Sequence, residues 1–215
     1  MDLPFTHDQF LDVFAAYNRA YWWAAALLWL WTLFVAFRWF RNPGGTNRSV
    51  AWLLVVHWAW SGAVYHLAYF RSVNPLALLF GLLFIFQAAL FARLAHGDNQ
   101  LEVSSATGFW RATGVILIGY GLVYPAVGLA FGLNYPRMPT FGVPCPTVIL
   151  TIGFLLGSNL RVARWLTVIP LVWTFIGGSA AFLLGIRADL VLALSGLALL
   201  ARLITSFGES RKAHA

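Results

Sequence analysis

The sequence predicts an all-α fold, a polytopic membrane bundle of seven transmembrane helices. Composition is the first observation behind this. The chain has 215 residues, of which 60% are apolar and 10% charged, with mean hydropathy +0.76. Soluble domains carry about 25% charged residues, and at this length roughly a third of the surface exposed by the unfolded chain stays wet. The second is that seven stretches reach the length of about 20 apolar residues that a bilayer crossing requires. They are 20–39, 50–70, 76–95, 110–132, 140–157, 165–185 and 188–206. The third is that the connections between them are short, which makes the chain one membrane domain with no room for a soluble one. These observations exclude a soluble enzyme, a secreted disulfide scaffold and a reader of nucleic acid. The net charge of +7 is then read as loop charge that orients the spans.

Before the first span, residues 5–18 carry Thr6 followed by Gln9, the pattern of a capping box. Phe10, Leu11, Phe14 and Tyr17 follow at helical spacing. A short amphipathic interfacial helix is expected here, lying on the outer surface as an anchor or, less simply, as a lid over the bundle mouth. The acidic amino terminus lacks a basic n-region, so no cleavable signal peptide is expected.

With the amino terminus outside, Arg19, Arg71, Arg137 and Arg187 face out, and the other ten of the 14 basic residues face in. This bias places the carboxyl tail in the cytoplasm. Trp22, Trp23, Trp39, Trp52, Trp110 and Trp165 fall at span ends, where indole rings favour the interface.

Polar residues at depth are candidates for function, and few are present. No Asp, Glu, Lys or Arg falls near the middle of a span, which argues against coupling through a buried carboxylate and against a voltage sensor. The second span carries His57 and His66. Nine residues at 100° each set the two rings on opposite faces, so they cannot share a ligand. Trp58, Gly62 and His66 fall on one face, and His57, Ser61 and Tyr65 on the other. Gln87 in the third span reads as an interhelical hydrogen bond. Gly128-xxx-Gly132 and Gly177-xxx-Ala181 permit close packing within the bundle, with homo-oligomerisation the lesser use.

The segment 135–147 holds Pro136, Pro139, Pro144 and Pro146, four prolines in eleven residues. Each removes a backbone donor and clashes with the preceding turn. A broken or re-entrant lead-in to the fifth span is expected, with Pro146 in the first turn of the continuing helix. Broken helices of this kind form substrate sites in transporters. Depth along the spans then brings His66, Cys145, Tyr124 and the Gly177-Gly178-Ser179 run to one level. An outer-leaflet cavity is expected there, lined by His66, Tyr65, Tyr124, Cys145, Thr147 and Ser179, with His57 deeper.

The Trp58–His66 run, the Tyr135–Thr147 segment and Pro170-Leu-Val-Trp173 with Gly177-Gly178-Ser179 resemble a bacterial family of small multi-spanning membrane proteins known as a domain of unknown function. The Tyr-Pro…Phe-Gly-x-Pro-Cys-Pro-Thr stretch is its most specific part. The resemblance implies a multi-pass protein of the bacterial inner membrane and implies no activity.

No catalytic residue is expected. The leading functional expectation is a permease or channel-like protein for a small solute or soft metal ion. Cys145 and His66 are the expected metal ligands, because thiolate and imidazole suit soft cations. The first alternative is a membrane-embedded haem or metal cofactor protein, or an enzyme, using His57 or His66. The second is a non-catalytic partner or sensor.

Overall fold

The computed structural model describes residues 4–42, 47–96, 106, 108–158 and 164–212, with side chains as far as 206. Among the described residues the secondary structure is helical. Arg161, Arg211 and Lys212, which contribute to the charge bias above, lie outside the described side chains. Helix α1 spans His7–Arg41 and α2 Asn47–Trp60, the latter continued by a π-helix over Ser61–Tyr69 and a 3₁₀ turn over Phe70–Ser72. Helices α3 (Ala77–His96), α4 (Gly108–Ala130) and α5 (Pro144–Leu156) follow. A 3₁₀ turn, Arg164–Thr167, leads into α6 (Val168–Leu184), and another, Arg187–Asp189, into α7 (Leu190–Lys212). Six of these units are long and apolar enough to cross a membrane, and α5 is not.

The capping box forms as the sequence predicts. The Gln9 N–H donates to Thr6 Oγ1 at 3.2 Å and the Thr6 N–H to Gln9 Oε1 at 2.8 Å. The helix it starts does not end before the first span. Residues 7–41 form one 35-residue helix kinked at Tyr21 (φ −126°, ψ 24°). At 1.5 Å per residue it is about 52 Å long, well beyond a hydrocarbon core of about 30 Å. The separate interfacial helix is therefore corrected to the first half of α1. Its apolar face is buried in protein: Phe10, Phe14 and Tyr17 are buried, and Phe14 stacks on Tyr65 at 5.6 Å. Trp22 and Trp23, just past the kink, stay exposed. Trp39 does not behave as an interfacial anchor. It is fully buried, 5.9 Å from the Phe154 ring, with the Arg111 guanidinium over its face.

The fifth span is the larger correction. The chain from 135 to 143 is not helical, and α5 begins only at Pro144, with Val143 as its extended cap. Proline suits a first turn because its missing N–H is an orphan there in any residue. The 13 residues of α5 reach about 20 Å. All of them except Cys145 are buried, so α5 is the core around which the long helices stand.

Tight contacts at small residues hold α5 in place. A Cβ added to Gly114 would lie 2.5 Å from the Gly153 carbonyl oxygen, so α4 and α5 touch backbone to backbone. Gly62, on the π-helix that continues α2, and Gly81 on α3 do the same, where an added Cβ would meet the facing carbonyl at 2.8 and 3.1 Å. The Gly128-xxx-Gly132 pattern is not one of these crossings. Gly132 lies beyond the end of α4, in a turn at φ +89°, with open space around it. Within α4, Pro125 leaves the Gly121 carbonyl without its helical donor, and Trp29 on α1 donates to the next carbonyl, that of Leu122, at 2.9 Å. Gln87 donates to the Leu166 carbonyl at 3.0 Å, the interhelical bond its position predicts.

The first half of α1 clamps the proline-rich loop. Asn18 Nδ2 donates to the carbonyls of Pro136 and Met138, each at 2.7 Å, and Asn18 Oδ1 accepts from Thr140 Oγ1 at 2.6 Å. The Tyr17 hydroxyl donates to the Phe141 carbonyl and accepts from the Trp60 indole, each at 2.9 Å. Gly142, at φ +81°, passes so close to Tyr17 and Trp60 that a Cβ would stand 2.5 Å from the hydroxyl. Irregular backbone is thus satisfied by protein, as buried loops require.

Candidate functional site

The clamp delivers the first turn of α5 to a cavity of about 200 Å³ at one end of the bundle. Every element around it contributes. Phe5, just before α1, and Phe10 and Phe14 on its amino-terminal part line one side. The widened part of α2 supplies Tyr65 and His66. The α5 start supplies Pro144 and Cys145, α6 supplies Trp173, Gly177 and Ser179, and the turn before α7 supplies Asp189. Its exposed members Pro4, Leu76 and Ser179, at the starts of α1 and α3 and on α6, mark the mouth.

His66 and Cys145 do line one cavity. Tyr65 and Ser179 join them, although the Ser179 hydroxyl donates to its own helix, to the Ile176 carbonyl at 2.9 Å. The other three expected members lie elsewhere. Tyr124 sits behind the wall, reaching it through Asp189. Thr147 and His57 face the opposite side of α5, because Thr147 is 200° around the helix from Cys145. There the His57 ring lies 3.0 Å from Thr32 Oγ1 through Nε2 and 3.5 Å from Thr147 Oγ1 through Nδ1. This is a hydrogen-bonded structural histidine. The Thr147 N–H is likewise used within α5, donating to the Val143 carbonyl at 3.4 Å.

His57 and His66 part as predicted even though residues 61–69 adopt π geometry. Trp58 and His66 both pack on Phe84, at 4.3 and 4.8 Å, so the expected shared face survives. π segments gather at functional positions, and this one carries both Tyr65 and His66 to the cavity. The His66 ring is fully buried, between Phe84 and Trp173 (5.1 Å). Among the described residues neither of its ring nitrogens has a hydrogen-bond partner. A buried polar group left unpaired costs about 1–3 kcal/mol, so this vacancy demands a reason. Trp173 Nε1 is also unpaired by strict geometry, although it approaches the Cys145 thiol. Trp173 is part of the cavity wall.

Asp189 is the residue that sequence reasoning missed. It is 2% exposed. Its carboxylate accepts from the Tyr124 hydroxyl and from the Cys145 thiol. Among the described residues no basic side chain pairs with it; the ion pairs there join Arg137 to Asp8 and Asp12 at the surface. Asp189 opens a predicted span, so it escaped a search confined to span centres. The available signal was that every other acidic residue lies in the amino-terminal segment, the 97–107 connection or the tail. Among the described residues no three His, Cys, Asp or Glu side chains cluster to hold a metal ion.

Six helices long and apolar enough to cross a membrane, standing around a short buried helix, are the architecture of a polytopic helical membrane protein. The chain belongs to the family of unknown function DUF6064, whose model matches residues 7–213. No curated protein and no solved structure matches it.

Proposed function

We propose that the protein is a permease of the bacterial inner membrane whose substrate is a small organic solute with an apolar body and a hydrogen-bonding head. The observation that carries this reading is the aromatic cavity with the unpaired His66 ring in its wall. A cavity of about 150 Å³ accepts a benzene-sized molecule, so this one suits a single aromatic or branched aliphatic group. The broken lead-in to α5 supplies the irregular backbone typical of transporter sites. A soft metal ion finds Cys145 and His66 in the same cavity, but without a third clustered donor the organic solute fits better.

The test is protein-dependent flux into proteoliposomes of three aromatic solutes of similar size that leak slowly: benzyltrimethylammonium, benzenesulfonate and zwitterionic phenylglycine. At least one should enter faster than in empty vesicles. Ser179→Trp, an exposed change at the mouth, should abolish that flux while leaving the melting temperature unchanged. Absence of protein-dependent flux for all three sinks the permease reading.

A further inference from the structure

The cavity is not electrically neutral in its design. Its wall is aromatic on most sides, with Phe5, Phe10, Phe14, Tyr65, Phe80 and Trp173 around it. The one charged type of side chain in that wall is the carboxylate of Asp189. Burying a carboxylate is costly unless something neutralises it. Among the described residues no cation does so. Tyr124 and Cys145 donate hydrogen bonds to it and bring no charge.

We propose that the cavity binds an organic ammonium ion, with Asp189 as its counter-charge, the aromatic wall as its cage and His66 as acceptor for an ammonium N–H. This deepens the permease reading by naming the substrate class, and it rests on that reading. The chemistry converges from three sides. Aromatic faces attract ammonium groups through the ring quadrupole, most strongly when water is excluded. A carboxylate supplies the negative charge. The imidazole, buried and without a partner among the described residues, supplies an acceptor that none of them uses. An anion would meet the Asp189 charge, and a neutral hydrocarbon would leave both Asp189 and His66 unserved.

Proton and ammonium compete for the same carboxylate. The titratable groups facing Asp189 are Tyr120 and Tyr124 on α4, Cys145 on α5, and Tyr65 and His66 across the cavity on α2. Arg187, exposed, stands two residues away on the same turn. Helix α6 carries no titratable side chain.

The experiment compares binding of benzyltrimethylammonium with binding of its uncharged carbon isostere, neopentylbenzene, to detergent-purified full-length protein. Wild type should prefer the cation. Asp189→Asn keeps the acceptor for Tyr124 and removes the charge. It should weaken cation binding by at least about thirtyfold, the loss typical of one partner of a buried charge pair. Binding of the isostere should hold. Wild-type cation affinity should fall as pH is lowered, and the Asp189→Asn value should stay flat. His66→Leu should weaken benzylammonium and spare benzyltrimethylammonium, which has no N–H to give; equal loss of both overturns the role given to His66. Equal binding of cation and isostere, or an Asp189→Asn variant that still prefers the cation, overturns the ammonium proposal. The permease reading survives that result if the flux assay shows benzenesulfonate or phenylglycine moving instead.

Discussion

Asn18→Ala should lower the unfolding free energy by about 3 kcal/mol, the sum of a few hydrogen bonds each worth about 0.5–1.5 kcal/mol. Asn18 is fully buried and makes three side-chain bonds to the 135–143 segment. Two carbonyls, those of Pro136 and Met138, lose their donor at once. Nothing in this loop replaces it, because its two prolines, Pro136 and Pro139, carry no N–H to rearrange. Asn18→Asp should be at least as damaging. It keeps the acceptor for Thr140 but sets a carboxylate oxygen against both carbonyls. The readout is unfolding in mixed micelles together with proteolysis of the 135–143 loop, which should be cut in both variants before global unfolding. If both melt like wild type, the loop does not depend on α1, and the first half of α1 is only an anchor.

That dependence explains which parts of the fold could be read from the sequence. The six long helices are legible because an apolar run of spanning length has no other stable place to go. The capping box at Thr6 and the helix start among the prolines are local chemistry, and both form where expected. The continuity of α1 into the first span was invisible for the opposite reason. Whether an amphipathic segment lies on lipid or folds onto protein is decided by its partner, and Tyr65 and Phe70 are more than 45 residues away in the chain. Phe14 against Tyr65 is a tertiary fact. The length of α5 was misread because residues 140–143 are as apolar as a span. Hydropathy cannot separate apolar backbone in a helix from apolar backbone tied down by Tyr17 and Asn18.

The candidate site divides along the same line. His66 and Cys145 were brought to one level by counting depth, and they do line one cavity. Thr147 was grouped with Cys145 by depth alone, although helical rotation sends it to His57. Asp189 was discounted as a span-end charge. In a bundle whose short core helix does not reach both surfaces, the end of one long helix meets the start of another inside the protein. The Arg187–Asp189 turn sits at such a place, against α4, and there a terminal residue is as buried as a central one.

A second large effect is expected where α5 is held to α4. Gly114→Ala places a methyl group 2.5 Å from the Gly153 carbonyl oxygen and 3.4 Å from the Gly157 nitrogen. Both are backbone atoms of the partner segment, so no side chain can swing aside, and the helices must part by about 1 Å to reach normal contact. The expected loss is about 1–3 kcal/mol, as for overpacked cores. Gly121→Ala is the matched control, two turns along the same face. Its added methyl also comes within 2.5 Å of a neighbour, but that neighbour is the Leu150 side chain, which can change rotamer. Gly121→Ala should therefore melt within a few degrees of wild type, and Gly114→Ala well below it. Equal melting of the two would mean that crowding alone, and not the identity of the crowded atom, sets the cost, and that α5 is free to slide. The distinction reaches the cavity, because Cys145 rides on the first turn of α5 and Tyr124 on α4, and both bond to Asp189. A displacement at Gly114 should weaken benzyltrimethylammonium binding along with stability, whereas Gly121→Ala should leave both in place.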